Sequence, residues 1–202
     1  MNDFNKKLPH NFFTRDVHIV AKELLGKYFV RNINGKLLAG RIVEVEAYDG
    51  KSDEASHSFI GKTKRNEVMF NGGGNLYVYF TYGMYFCANV VTGKQNDATA
   101  VLIRALEPVE GIEKMSINRF GKKNVSDKEI INLANGPGKL CIAFQIGKEH
   151  NGIDLTGDEI YLYYAPVIPK EMIESTTRIG IKKSVHLPWR YYIKNNRYVS
   201  KK

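Results

Sequence analysis

"YVYFTYGMYFCAN" spans residues 77–89 and sets four tyrosines and two phenylalanines around a glycine. Its residue types favour strands, and Gly83 supplies the permissive backbone that a turn needs. With Tyr82, Gly83 and Met84 as a three-residue loop the segment becomes a hairpin, a common length in which glycine relaxes a bulge. Loop length decides which residues share a face, because side chains alternate along each strand. One face then carries Val78, Phe80, Phe86, Ala88 and Val90, all apolar and suited to a core. The other carries Tyr77, Tyr79, Thr81, Tyr85, Cys87 and Asn89, suited to a polar cleft. A two-residue turn would mix these sets, so the pattern itself favours the odd loop. Tyr82 is left at the tip, on neither face. An aromatic there fits stacking on rings or insertion between bases. It also fits tyrosines that cap a core edge with their hydroxyls in water.

Working outward, "GRIVEVEAYDG" (40–50) reads as a strand. Alternation puts Ile42, Glu44, Glu46 and Tyr48 on one face and Arg41, Val43, Val45 and Ala47 on the other. Two carboxylates on one face of an apolar strand raise each other's pKa, as does desolvation. One beside Tyr48 fits a general base near an aromatic ring. Both also fit ion pairs with Arg or Lys at a sheet surface. "KYFVRNI" (27–33) precedes it, with Asn34-Gly35 as the hairpin turn between. "TRDVHIVAKELLGK" (14–27) reads as a helix capped by Thr14 and stopped by Gly26. Residues 1–11 read as an irregular arm, and residues 49–75 as a long loop of the kind that is often functional. Further on, "ATAVLIRAL" (98–106) is a strand, and Pro108 is expected to open a helix running to about Arg119. Ser126 and Glu129 form a capping box, and Pro137 starts another helix. "EIYLYYA", "TRIGI" and "WRYYI" read as short strands. Strands and helices mix without regular alternation, so the fold class is α+β: one domain over residues 1–202, a mainly antiparallel sheet, surrounding helices and a protruding β-hairpin.

The chain has 202 residues and a net charge of +9. That excess favours polyanions such as nucleic acid, although solvated lysine-rich surfaces have the same composition. Two lone cysteines in apolar settings, Cys87 and Cys141, fit a reducing compartment, and no apolar run reaches membrane-spanning length. The start lacks the apolar run of a signal peptide. The expected location is cytoplasmic, on the nucleoid if the source is bacterial, with no membrane partner. Glu44, Glu46 and His57 match no standard metal spacing, so no metal is expected. Nor is a cofactor: the sequence holds no phosphate loop, no dinucleotide fingerprint and no zinc-deaminase signature.

Together, "LLGK" (24–27), "GRIVEVEAYDG…DEASHS" (40–58), "KRNEVMF" (64–70), "LYVYFTYGMYFCANVVTG" (76–93), "AVLIRALEP" (100–108), "NGPGKLC" (135–141), "RIGI" (178–181) and "PWRYYI" (188–193) resemble the alkyladenine (3-methyladenine) DNA glycosylase family. The blocks occur in family order and cover residues 12 to 200. The resemblance implies a monofunctional base-excision-repair glycosylase and assigns the following roles. Glu46 is the base that activates water, with Arg104 and the Ile179 carbonyl as further water ligands. Tyr48 is one wall of the base pocket and His57 with Tyr79 the other. Asn89 crowds the 2-amino group of guanine, and Leu102 packs nearby. Tyr82 is the wedge that fills the gap left by a flipped nucleotide, and Met84 and Tyr85 follow the minor groove. The implied partner is double-stranded DNA containing damaged purines, bound by a monomer. Lys62, Lys64, Arg65, Lys182 and Lys183 are placed for phosphate contacts. Relatives often have Pro-Gly before the hairpin where this chain has "NGGGN" (71–75), an expected loosening of its entry. Two rival readings remain: a non-catalytic module stacking on single-stranded nucleic acid, and a glycoside hydrolase using Glu44 and Glu46 as its pair.

Overall fold

The computed structural model describes residues 6–201. Its centre is the long strand predicted around the carboxylates. β1 (Tyr28–Ile33) and β2 (Lys36–Tyr48) form the expected hairpin, turning through Asn34 and Gly35, both at positive φ. β3 (Leu76–Thr81) and β4 (Tyr85–Thr92) are the two strands of the tyrosine hairpin, followed by β5 (Thr99–Glu110), β6 (Ile160–Tyr163), β7 (Ile173–Thr176) and β8 (Arg190–Ile193). They form one sheet in the order β3-β4-β5-β2-β1-β6, with β8 pairing both β2 and β7. The pairings are antiparallel. The fold is α+β and a single domain. Among the described residues no helix is long and apolar enough to cross a membrane.

The hairpin register pairs Tyr77 with Asn89, Tyr79 with Cys87 and Thr81 with Tyr85, so the odd loop and its two faces are as the sequence pattern demanded. The core assignment fails at the outer end. Val78, Ala88 and Val90 are buried, but Phe80 is half-exposed, its ring tilted against Phe86 with centroids 5.1 Å apart. The hairpin projects beyond the core that its inner half covers.

Strand β2 is not a simple alternation. Against β5 its register runs Ile42 to Leu106, Glu44 to Ala105, then Val45 to Ile103. Val43 and Arg104 are skipped, an extra residue on each strand in turn. Such bulges re-aim side chains. Ile42, Val43, Glu44, Val45, Glu46 and Ala47 are all fully buried, so this stretch of the strand has no solvent face.

The helices are α1 (His10–Phe13), α2 (Val17–Leu24), α3 (Ile112–Phe120), α4 (Asp127–Ile131) and α5 (Pro137–Ala143). α2 buries Val17, Val20, Ala21 and Leu24, spaced three and four apart as an amphipathic helix requires. Its cap is Asp16 rather than Thr14: the Asp16 carboxylate accepts from the amides of His18 and Ile19. The capping box at Ser126 and the Pro137 start are present. Pro108 does not open a helix. β5 continues through it to Glu110, at a place where the pairing with β2 shifts between Ala39 and Gly40. A residue without an N–H is tolerated in a sheet at such an irregularity. "TRIGI" is loop rather than strand; the strand lies just before it, as β7.

Of the arm expected over residues 1–11, residues 1–5 lie outside the described residues. The remainder is docked: Leu8 is buried with its amide on Leu162, and His10 begins α1. Nor is "NGGGN" a loose entry. The Gly73 amide donates to Gly93, and a Cβ on Gly73 would lie 2.2 Å from the Phe13 carbonyl oxygen. The glycine permits a backbone-to-backbone approach that fixes the start of β3 against α1.

Candidate active site

Sheet register assembles the site. Leu102 on β5 pairs with Asn89 of β4 on one side and with Glu46 of β2 on the other. Asn89 in turn pairs with Tyr77, and Glu46 with Arg190 of β8. One row across five strands therefore reads Tyr77, Asn89, Leu102, Glu46, Arg190. Tyr48, two residues beyond Glu46, and Tyr79, two beyond Tyr77, extend the same face.

This face floors a cavity of about 410 Å³, within the usual range for ligand sites. Tyr48, His57, Tyr79, Asn89, Leu102, Arg104 and Ile179 line it. Thr81, Tyr82, Lys182 and Lys183 also border it. The structure thus brings most of the expected site residues together. Met84 and Tyr85 lie outside on the hairpin, where Tyr85 packs on Gly138 so closely that a Cβ there would come within 2.9 Å of its ring. Lys62, Lys64 and Arg65 are exposed on the 49–75 loop, with the Arg65 guanidinium 5.7 Å from the Tyr79 ring.

Glu46 does not line the cavity. It is fully buried and stands one layer behind, bonded to three residues that do line it. Oε1 accepts the Ile179 amide at 2.7 Å and faces Arg104 Nη1 at 3.2 Å. Oε2 accepts the Tyr48 hydroxyl at 2.8 Å. Ile179 reaches Glu46 through its N–H; its carbonyl, which the resemblance gives as a ligand of the water, is a separate group of the same residue. Burial opposes the charge on Arg104, but the carboxylates of Glu46 and Glu44 outweigh it and hold its pKa above the ordinary value. Burial, then the Glu46 charge, pushes the Tyr48 phenol well up, so it remains a donor at neutral pH.

The opposite wall is built on hydrogen bonds. His57 Nδ1 lies 3.0 Å from the Tyr77 hydroxyl, and its ring meets Tyr79 edge-on at 4.4 Å. The Asn66 side chain donates to the His57 carbonyl at 2.8 Å, pinning the loop. Burial, helped by the Arg65 charge, lowers the His57 pKa, so the imidazole is neutral at pH 7. Asn89 donates to the Tyr77 carbonyl at 3.1 Å, which fixes its amide at the cavity floor. Burial raises the Tyr79 phenol and the Cys87 thiol, and both stay protonated.

At the mouth, Tyr82 is 79% exposed and adopts φ 51°, with Gly83 at φ 69°. Lys182 and Lys183 flank it from the other side, Lys183 within 3.3 Å of Glu54. The arrangement offers an aromatic slot, a buried carboxylate held by an arginine, and a cationic rim with a projecting ring.

Sequence reasoning missed several partners. Glu44 is locked by Arg104, Arg190 and Ser200 in a buried cluster, not paired at a surface. Asp53 and Arg178, inside two of the quoted blocks, form a fully buried ion pair. A signal existed only for Arg178, the one charge in the otherwise apolar block "RIGI"; Asp53, beside Glu54, gave none.

A family model described as "Methylpurine-DNA glycosylase (MPG)" matches residues 11–197. A protein of Carboxydothermus hydrogenoformans named "Putative 3-methyladenine DNA glycosylase" is 54% identical over 196 residues, covering 96% of this chain and 99% of its own. Proteins of the same name from Alkaliphilus oremlandii and Clostridium botulinum are 46% and 47% identical, covering 97% and 96% of this chain and 100% and 99% of theirs. With that match along nearly its whole length, the chain belongs to the methylpurine-DNA glycosylase family and is a DNA-repair glycosylase, a hydrolase of N-glycosyl bonds.

Proposed function

We propose that the protein excises alkylated and deaminated purines from double-stranded DNA, among them 3-methyladenine, 7-methylguanine, hypoxanthine and ethenoadenine, in base-excision repair. The observation that carries this reading is the Glu46 carboxylate, bonded to Tyr48, Arg104 and Ile179, each of which lines the aromatic cavity. A base inside a duplex is out of reach and must be flipped out, at a cost of a few kcal/mol. Tyr82 entering the vacated stack offsets part of that cost. Tyr48 then faces one side of the flipped ring, with His57 and Tyr79 on the other. A cationic purine gains further, because aromatic faces attract positive charge.

In the chemical step water adds to C1′ of the sugar, the N-glycosidic bond breaks, and its electron pair leaves with the base; a cationic alkylpurine thereby leaves neutral, and a neutral base such as hypoxanthine takes up a proton from solvent as it leaves. Glu46 takes the proton from water, and its charge stabilises the oxocarbenium-like sugar. Water reaches Oε2 when the Tyr48 hydroxyl gives up its hydrogen bond there. Asn89 crowds a 2-amino group, and Leu102 packs beside it. Met84 and Tyr85 follow the minor groove. Lys62, Lys64, Arg65, Lys182 and Lys183 meet phosphates, which fix register without reading sequence.

The protein is taken to act on DNA as a monomer. Cys87 and Cys141 are free and buried, which supports a reducing, cytoplasmic setting. The deciding experiment is single-turnover excision from a hypoxanthine-containing duplex, with binding measured separately, for the wild type and Glu46→Gln. Near-normal excision by Glu46→Gln rejects the assigned base.

A further inference from the structure

Arg178 and Asp53 have no place in the chemistry above, yet their burial asks for an account. Both side chains are fully buried. Arg178 Nη1 donates to Asp53 Oδ2 at 2.5 Å and Nη2 to Oδ1 at 2.8 Å, a two-pronged pair. Nη1 also donates to the carbonyl of Ala47, the residue between Glu46 and Tyr48, at 3.0 Å. The guanidinium lies over the Tyr48 ring at 4.7 Å and near the Trp189 ring at 5.2 Å. Tyr48 lines the cavity and Arg178 does not, so the cation backs the ring from inside the protein.

Stability alone is a poor reason for this arrangement. A buried ion pair often contributes less than apolar residues of the same volume. This one also leaves the Arg178 Nε buried without a hydrogen-bond partner. What the pair does uniquely is connect. Asp53 sits four residues before His57, Ala47 and Tyr48 end β2, and Ile179 follows Arg178 directly. The Ile179 amide is the shortest donor to Glu46. Three segments that meet at the cavity are therefore referenced to one guanidinium.

We propose that Arg178 is a positioning residue: its pair with Asp53 sets the Ile179 amide against Glu46 and holds the Tyr48 ring, and so fixes the orientation of the water-activating carboxylate. The proposal rests on the assignment of Glu46 above. Arg178→Lys keeps the charge beside Asp53 but loses the planar fork that makes two bonds at once. A merely structural role and a positioning role then differ in one measurable respect. A positioning residue acts through Glu46, so its loss matters little once Glu46 has been disabled.

The test is a double-mutant cycle of Arg178→Lys and Glu46→Gln. Single-turnover excision is followed with enzyme in excess on a duplex containing 7-methylguanine, whose cationic leaving base keeps the slow variants measurable. We expect Arg178→Lys to lower the rate constant by about tenfold to a hundredfold at full amplitude, by analogy with the loss of a residue that orients a metal ligand. In the Glu46→Gln background the same change should cost under about threefold, because residues acting as a unit are not additive. An unchanged rate constant, equal factors in both backgrounds, or a loss of amplitude alone overturns the proposal. Should Arg178→Lys not fold, Asp53→Asn is read in the same cycle. Failure of both to fold also counts against it, since a positioning pair is separable from folding. If Glu46→Gln alone excises normally, the catalytic assignment fails. If Glu46→Gln is slow and Arg178→Lys is normal, only the positioning role fails.

Discussion

Glu44 and Glu46 stand two residues apart on one strand, both fully buried, and their surroundings differ in kind. Glu44 receives Arg104 Nε at 3.1 Å, Arg190 Nε at 2.7 Å and the Ser200 hydroxyl at 2.9 Å on Oε1, and the Ser200 amide at 2.6 Å on Oε2. None of its partners except Arg104 lines the cavity. Glu46 shares Arg104, but its other partners, Tyr48 and Ile179, both line it. The same carboxylate chemistry thus serves as a joint of the fold in one place and as a group behind an active-site wall in the other. Neither residue type nor burial separates the two. The identity of the donors does, and Arg104, re-aimed by the bulges of β2 and β5, is the element they share.

The largest expected effects test that division directly. Glu44→Gln leaves Arg104 and Arg190 buried without full compensation, and we expect a loss of about 3–5 kcal/mol in denaturant unfolding. Glu46→Gln should slow single-turnover excision by at least about a hundredfold, the lower range for loss of a positioned base. Its lesion binding should persist or tighten, because a carboxylate near phosphates is repulsive. If instead Glu44→Gln abolished excision in a stable protein while Glu46→Gln retained it, the division would be reversed.

Farther from the strand the effects shrink and become conditional on substrate. Tyr82→Ala should slow excision from duplexes by more than from single strands, where no stacked vacancy forms. Equal losses on both would remove Tyr82 from the wedge role. Asn89→Gly, one strand-pair from Leu102, should raise guanine excision relative to hypoxanthine without lowering hypoxanthine excision; an unchanged ratio would place Asn89 with Glu44, on the structural side. Lys64→Ala should have the smallest effect. It should weaken binding alike on damaged and undamaged duplex and reduce the salt slope by about 0.9, the share of one phosphate. A binding affinity insensitive to salt would remove the phosphate contacts altogether.

Much of this was legible in the sequence where local rules govern. The hairpin parity followed from loop length and the two faces of alternating side chains, and register confirmed it from Tyr77–Asn89 to Thr81–Tyr85. The Asn34-Gly35 turn and the Ser126 capping box are likewise local. Errors arose where distant contacts decide. Thr14 and Asp16 are both good caps, and the docking of α1 left the position to Asp16. Pro108 stayed in β5 because a register shift opposite Gly40 accommodates it. The ion pair of Asp53 with Arg178 joins residues 125 positions apart, and no periodicity reports such a contact. The bonds of Glu46 to Arg104 and Ile179 join residues far apart in the chain, and alternation along one strand cannot reveal them.

Tyr82 carries a last consequence. It holds φ 51° without being glycine, a conformation that costs a bulky residue on the order of 1 kcal/mol. The tip therefore keeps its aromatic ring against the preference of its own backbone. A library of variants selected only for heat resistance would drift toward glycine or asparagine at position 82, gaining in the melt what it loses on duplex DNA. Selection on repair in a living cell would hold the tyrosine in place, and the two selections would pull one residue in opposite directions.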